Sequence, residues 1–201
     1  DKTETLNRLS MLKCLLEDEK RLLVGQNMKY DIMVLQNYGI FENINASRLF
    51  DTMIAHFLLY PSLKHNMDDM AEALLQYKTI HIDSLIGKGK NQLSMRLIPN
   101  EEITDYAAED ADITLQLYLK LKEQIENSKE VSKLFYDIEM PLMPVLAEME
   151  RTGVRIDTEA LKSFALHLKE QIATSEAKIY QLAGKTFNIA SPKQVGEILF
   201  N

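Results

Sequence analysis

The sequence predicts a helix-dominated α/β protein, and two observations carry that expectation. Apolar residues recur at helical spacing through most of the 201 residues, in about nine segments. Against them stand two short apolar runs that read as strands, Leu22-Leu-Val-Gly25 and Arg48-Leu-Phe50. Two strands are too few for a self-sufficient sheet. Either the protein is essentially helical, or further strands precede this stretch of chain.

The elements follow in order. Leu6, Leu9, Leu12, Leu15 and Leu16 predict an amphipathic helix over 5–19. After the first strand, closed by Gly25, Asn27 is a candidate cap for a helix that runs to about Tyr38 and stops at Gly39. The second strand leads into a helix over Thr52–Leu59, ended before Pro61, and Asn66 caps another reaching about Gln76. Asn100, after Pro99, is read as the cap of a long helix over 101–127. A composition hinge at Asn127-Ser-Lys129 precedes a helix to Thr152, which Pro141 and Pro144 should kink and Gly153 should end. Thr158–Ala183 forms the next helix, and Ser191-Pro192 opens a last one, Ser as cap and Pro at the first helical position.

Composition narrows the function. With 46% hydrophobic and 26% charged residues the chain is ordinary for a globular protein. No apolar run approaches the roughly 20 residues of a membrane span, so no membrane partner is expected. The single Cys14 excludes an internal disulfide and a cysteine zinc site, and points to the cytoplasm. A net charge of −7 argues against a general nucleic-acid coat. One segment could still approach phosphates locally: Gly87-Lys-Gly-Lys-Asn-Gln-Leu-Ser-Met-Arg96, with Lys88, Lys90 and Arg96 and no acid. A solvated loop is the alternative for those letters.

Two acids stand in the wrong place for surface charge. Tyr106, Ala107, Asp110, Ile113, Thr114 and Leu117 share one face of the long helix, while Asp105, Glu109 and Asp112 take the solvated face. Asp110 thus points with apolar side chains, and Tyr106, one turn earlier, hangs its hydroxyl over the same spot. Asp31 repeats the anomaly, sharing a face with Met28, Val34, Leu35 and Tyr38. A carboxylate on an apolar face needs a cation, a metal or strong donors. Two such acids near strand ends suit a shared Mg²⁺ or Mn²⁺ site. The alternative is that each caps a neighbouring backbone or pairs with a buried Lys or Arg.

Several blocks then make the chain familiar. Leu15-Leu-Glu-Asp-Glu19, Val24-Gly-Gln-Asn-x-Lys-Tyr-Asp31, Phe50-Asp-Thr-Met53, Gly87-Lys-Gly-Lys-Asn-Gln92 and Tyr106-Ala-Ala-Glu-Asp-Ala-Asp112 resemble the 3′→5′ proofreading exonuclease domain of the family A DNA polymerases, in order and near the family spacing. Ile138-Glu-Met-Pro-Leu142, Arg151-Thr-Gly-Val-Arg-Ile-Asp157 and Ser191-Pro-Lys-Gln-Val-Gly-Glu-Ile-Leu199 resemble the segment opening the polymerase domain. The resemblance implies a ribonuclease H-like exonuclease fold over 1–128 without its first strands, then the first helices of the polymerase domain, the thumb base, over 129–201. It makes Asp31 and Asp110 metal ligands and Tyr106 the hydroxyl that orients the attacking water. Gln26, Asn27 and Tyr30 would line the path of the single-stranded 3′ end of DNA, with Lys64, Lys88 and Lys90 gripping phosphates. The cofactor implied is a pair of Mg²⁺ or Mn²⁺ ions performing phosphodiester hydrolysis. Primer-template DNA and deoxynucleotides are the substrates of the longer protein.

The departures shape the remaining expectations. The family opens this domain with an Asp-x-Glu strand well upstream of Asp31, and Asp1-Lys-Thr-Glu4 imitates it at the wrong spacing; it reads as helix-start chemistry. Lys64 stands where the family commonly has arginine, and Ile82 where it can have an aromatic residue. The expectation is a fragment inactive by itself, with weak or no metal binding, that self-associates as a homodimer through an exposed sheet edge. The rival readings are a non-catalytic exonuclease-like module that binds DNA or a protein, and a ribonuclease D-like RNA exonuclease.

Overall fold

Leu23–Gly25 (β1) and Leu49–Asp51 (β2) pair in parallel with Leu23 opposite Leu49, Val24 opposite Phe50 and Gly25 opposite Asp51. They form the one sheet found among the described residues, which in this computed structural model are 2–41 and 44–200. Asp1 and Asn201 lie outside them, so Asp1 of the Asp-x-x-Glu imitation has no structural account. The second strand begins and ends one residue later than its apolar letters suggested, because Arg48 belongs to a 3₁₀ turn and Asp51 completes the pairing. Helices make up the rest, as the sequence predicts.

The chain divides into two compact units at Gly153–Val154. In the first, Lys2–Leu16 (α1) precedes β1, Met28–Gln36 (α2) connects the strands, and Thr52–Leu59 (α3) leaves β2 directly. Met67–Met70 (α4) runs on into a π-helical turn, Ala71–Leu75. Ile82–Ile86 (α5), which the sequence reading missed, precedes the basic loop, itself folded into a 3₁₀ turn at Gly89–Asn91. Asn100–Asn127 (α6) is the long helix; Pro99 rather than Asn100 sits at its cap position. Lys129–Leu134 (α7) and Met140–Thr152 (α8) flank a π-helical turn at Phe135–Glu139. That turn stands where kinks were expected: Pro141 and Pro144 offer no N–H to the preceding turn, and the wider turn lies just ahead of them.

The core shows why α6 is the main strut. Ile113, Leu117, Leu121 and Ile125 recur every fourth residue and are all buried. Phe50 of β2 packs edge-on to Tyr118 of α6 and tilts against Phe135, with ring centroids 4.8 and 4.7 Å apart. Phe135, Met140, Met143 and Ala147 fill the same core. Residues 129–152 therefore belong to the first packed unit, and the division expected at 128–129 coincides with no break in packing.

The first helix corrects the sequence reading. Leu6, Leu12 and Leu15 remain exposed, and Leu9 and Leu16 pack against the core. Steps of three residues drift back about 60° each around a helix, so Leu6, Leu9, Leu12 and Leu15 wind round α1 instead of sharing a face. Arg48 ties this region down from within: it is buried, and its guanidinium donates to the carbonyls of Arg21 and Leu16 at 3.0 and 2.9 Å.

In the second unit, Asp157 caps Thr158–Ala183 (α9) through the amides of Glu159 and Ala160, and Gly184 closes it at φ 68°. Ser191 precedes Pro192–Phe200 (α10), its hydroxyl accepting from the Gln194 amide at 3.4 Å. Tyr180 meets Phe187 edge-on at 5.9 Å between these helices.

One carboxylate organises the start of both α2 and α3. Asn27, expected to cap α2, has φ 58° and no side-chain cap bond. Asp51 does that work: its carboxylate accepts from Asn27 N at 3.2 Å and Met28 N at 2.7 Å, and also from Met53 N and Ile54 N at 2.9 and 3.3 Å. Replacing Asp51 by Ala should cost about 2–4 kcal/mol, the scale of two lost caps, and Asp51→Asn should fall between. Urea unfolding measures it; a loss below half a kcal/mol for Asp51→Ala would contradict the double cap.

Candidate functional site

The carboxyl end of β1 opens onto a cleft of about 580 Å³, lined by Gly25, Gln26, Asp31, Met67, Asp110 and Thr114 among others. Ligands commonly sit beyond the carboxyl ends of parallel strands. Four elements supply the walls: β1 runs into Gln26, the first turn of α2 brings Asp31, α4 brings Met67, and α6 brings Asp110 and Thr114. Gly25 keeps the turn from β1 into α2 tight, because a Cβ there would lie 2.5 Å from Met28 Cγ, and Met28 is buried.

Both candidate ligand acids therefore reach the same cleft, but neither is buried as the sequence implied. Ile32, not Asp31, is the buried residue of that turn of α2; Asp31 is exposed along the cleft wall, and Val34 is exposed too. Asp110 is half-buried, one turn before the buried stripe of α6 begins at Ile113. Partial desolvation pushes the Asp31 carboxyl above the usual range, and repulsion from Asp51 adds to it. Desolvation likewise raises the Asp110 carboxyl, with Glu109 and Asp68 adding repulsion while the Tyr106 hydroxyl holds it back. Neither acid caps a helix, and no cation offsets either among the described residues.

Tyr106 answers Asp110 across one turn of α6. Burial, then the neighbouring Asp110 charge, pushes its hydroxyl up to about 12, so it remains a proton donor throughout the neutral range. Glu109, assigned to the solvated face, is half-buried and accepts from Tyr77 Oη at 2.7 Å and from the Ile80 amide at 2.6 Å. It straps the chain after α4 onto α6 beside the cleft.

The other expected residues spread more widely. Gln26 lines the cleft, with Nε2 donating to the His65 carbonyl at 2.9 Å and Oε1 accepting from Thr52 Oγ1. Asn27 lines a separate depression of about 250 Å³ that also holds Asp51, and Tyr30 is exposed on α2. Lys64 lies 3.7 Å from Asp69, on a third, polar depression with Asp68, Lys78 and His81. Lys88 pairs with Asp83 at 3.1 Å, and Lys90 is exposed on the 3₁₀ turn of the basic loop. Lys64, Lys88 and Lys90 do not line the cleft that holds the two acids.

Sequence reasoning passed over two acids here. Asp51 carried a readable signal: an Asp at a strand end, directly before a helix, is a strong cap residue. Asp68 acts on both Tyr106 and Asp110 and accepts from Thr79 Oγ1 at 2.6 Å; nothing local in the sequence marks it. In chemical terms the cleft offers hard oxygen donors and raised carboxyls, with the protonated phenol of Tyr106 one turn from Asp110 along α6. Asp31 and Asp110 fit one divalent cation such as Mg²⁺ or Mn²⁺, an ion that takes one or two carboxylates and keeps its waters.

Comparison with known proteins identifies the family. The 3′-5′ exonuclease family profile matches residues 1–126. The chain is 41% identical over 194 residues to the DNA polymerase I of Pseudomonas aeruginosa, covering 96% of this chain and 21% of that protein. It is also 41% identical over 194 residues to the DNA polymerase I of Rhizobium leguminosarum, covering 96% and 18%. The chain thus spans about a fifth of the length of these relatives. Among solved structures, the POL domain of Pol1 from M. smegmatis, in complex with DNA primer-template and dNTP, aligns with a TM-score of 0.72. The alignment covers 95% of this chain and 30% of that one at 22% identity, which establishes a shared fold.

The raised carboxyls have a signed consequence. A raised acid is protonated in the folded state over a pH range where the unfolded chain is already ionised, so folded stability falls as pH rises through that range. Asp110→Asn should therefore raise the melting temperature at pH 8 in chelator, by at most about 3 °C given its partial exposure. The gain should vanish at pH 3, where the aspartate is protonated in both states. A lower melting temperature for Asp110→Asn at pH 8 would show Asp110 to be a structural anchor instead.

Proposed function

The chain belongs to the 3′-5′ exonuclease family, and from that premise we propose that it is the proofreading region of a longer protein of the DNA polymerase I type. On this reading it takes the single-stranded 3′ end of DNA and releases nucleotides by metal-assisted phosphodiester hydrolysis. The longer protein uses primer-template DNA and deoxynucleotides in the cytoplasm. Residues 1–128 belong to the exonuclease part, and residues 129–201 to the first helices of the polymerase part. The observation that carries the reading is the convergence of Gln26, Asp31 and Asp110, from three separate elements, on one cleft at the end of β1.

The roles follow from the chemistry of each group. Asp31 and Asp110 would hold a divalent cation; burial first, and then neighbouring acids, raise both carboxyls, and a cation would favour their charged forms. A bound Mg²⁺ or Mn²⁺ supplies Lewis-acid polarisation of the phosphoryl oxygen and a nucleophilic hydroxide at neutral pH. Tyr106 stays protonated and directs its hydroxyl toward the reacting water. Gln26, Asn27 and Tyr30 lie along the entry from β1 into α2 and would meet the frayed strand. Lys64 and Lys88 sit in exposed ion pairs with Asp69 and Asp83. Such pairs are weak and can exchange their acids for phosphates, and Lys90 adds charge on the same loop as Lys88.

This chain tested by itself should bind divalent metal weakly and show no excision. Two-ion hydrolysis needs carboxylates enough to hold both ions about 4 Å apart. Among the described residues no group of three or more His, Cys, Asp or Glu side chains is disposed to hold a metal. Self-association through the sheet is part of the same reading, since β1 and β2 pair with each other alone among the described residues and Leu22 beside β1 is exposed.

In the longer protein, Asp31→Ala or Asp110→Ala should abolish 3′ excision and leave polymerisation intact. Tyr106→Phe should slow excision by about 10- to 100-fold, the scale of a lost positioning proton donor. Near-normal excision by Asp110→Ala would refute the site. For the chain itself, a labelled single-stranded oligonucleotide with Mn²⁺ should keep its 3′ nucleotides. Metal-dependent release that Asp110→Ala removes would overturn the inactive reading, and release from RNA alone would overturn the choice of DNA. Sedimentation at tens of micromolar should reveal a concentration-dependent dimer, and a strict monomer would remove self-association from the proposal.

A further inference from the structure

Two histidines beside the cleft are arranged in a way that the roles above leave unused. His56 of α3 is buried, and its Nδ1 lies 2.7 Å from Nδ1 of His65, in the segment between α3 and α4. His56 Nε2 is buried without a partner among the described residues. The pair is framed by aromatic rings: Tyr60 lies 5.0 Å from His56, and Phe57 lies 5.3 Å from His65.

The proton positions follow from what each nitrogen can reach. Of two ring nitrogens at 2.7 Å, one carries the hydrogen and the other accepts it. If His65 donated, the proton of neutral His56 would sit on Nε2, buried with nothing to receive it. Orphaned buried N–H groups are rarer than under-used acceptors. His56 therefore donates from Nδ1 to a His65 protonated on Nε2. A further proton on His56 Nε2 would place a charged, unpaired N–H in the interior. Burial, then the neighbouring His65, pushes the His56 imidazole down in agreement.

What the pair holds is the backbone of His65, and that carbonyl holds Gln26. Gln26 Nε2 donates to the His65 carbonyl at 2.9 Å and turns its other hydrogen toward Met70 Sδ at 3.7 Å. Its Oε1 accepts from Thr52 Oγ1, whose residue lies one turn before His56 in α3. A thioether is a weak acceptor, so the N–H on Met70 and the second lone pair of Oε1 remain available at the cleft wall.

We propose that His56 and His65 form a positioning pair for Gln26, fixing the orientation in which its amide meets an incoming single-stranded 3′ end. This deepens the function proposed above and rests on it for the identity of the ligand. The segment from Tyr60 to Asn66 carries two exposed residues of every three or so, among them Leu63 at 51% exposure. Asn66, capping α4 through the Asp69 amide, and the Lys64–Asp69 pair anchor the end of this segment, and the bond to His56 is the side-chain hydrogen bond that fixes His65 itself.

The test has two arms on this chain. In the first, long-range ¹H–¹⁵N NMR should find His56 protonated on Nδ1 and bare on Nε2, with distinct side-chain amide signals for Gln26. His65→Ala should collapse the Gln26 signals toward free-amide values, and His65→Asn, which restores an acceptor near the Nδ1 position, should recover them. In the second, fluorescence anisotropy with a single-stranded DNA oligonucleotide in metal-free buffer should show about five-fold weaker binding for His65→Ala, the scale of one net hydrogen bond. His65→Asn and the unaltered chain should match. Gln26 signals that do not move in His65→Ala, or a loss that His65→Asn fails to restore, would overturn the positioning role. If the unaltered chain binds no DNA while the NMR arm succeeds, the pair still positions Gln26 and the functional reading falls instead.

Discussion

The carboxylate of Asp51 is the constraint on which the rest of the site depends. It ends β2, stands opposite Gly25 in the parallel register, and receives four backbone amides from the starts of two helices. Burial pushes its carboxyl up while those four donors pull it down, so the group is costly to bury and is kept by its bonds. Because both α2 and α3 begin on it, the angle between β1 and α2 is fixed at the point where Gln26 and Asp31 leave the backbone. The same charge reaches Asp31 and raises its carboxyl. The residue that builds the corner thus also sets the electrostatics of the acid beside it.

The second fixed part is α6. Its buried stripe starts at Ile113, and Tyr106 and Asp110 lie in the turns just before it. Residues at the border of a buried stripe are held rigidly without being sealed from solvent. That position would suit the cation-binding role proposed for Asp110. Glu109 contributes from the neighbouring position by tying down Tyr77 and Ile80, which keeps Asp68 and its field close to Asp110. Burial raises both cleft acids, with Asp51 adding repulsion at Asp31 and Glu109 and Asp68 at Asp110, so neutralising them would stabilise the fold, a common trade of stability for function.

The sequence was legible where local chemistry decides structure. Apolar spacing located both strands and every long helix, and Gly153 and Ser191 punctuate the chain where their letters said they would. It was less legible where neighbours decide. Asn27 looked like a cap, but the capping oxygen comes from Asp51, which is 24 residues away. Asp31 looked buried, because helical periodicity ranks faces without knowing that the cleft opens on this one. Spacing and resemblance together named Gln26, Asp31 and Asp110, the three that meet in the cleft, while Lys64, Lys88 and Lys90 lie elsewhere. The tether of His65 to His56 was invisible, since two histidines 9 residues apart become partners only when the chain after α3 folds back.

On the proposed function, the distribution of charge bears on how an acidic chain would meet a polyanion. At net −7 the protein repels DNA as a whole, and the cleft itself gathers acids. A cation that bridges the acids and the phosphate would favour entry of a single strand there, so on the proposed function metal and strand binding should be linked. The lysines stand off the cleft, in ion pairs with acids on neighbouring segments, where water screens them and where they are cheap to release. Contact with phosphate at the rim can therefore precede commitment at the centre. Gln26 is the neutral group at the boundary between the two regions, held by hydrogen bonds alone. Its amide can remain in one orientation whether the acids beside it are ionised, protonated or bound to a cation.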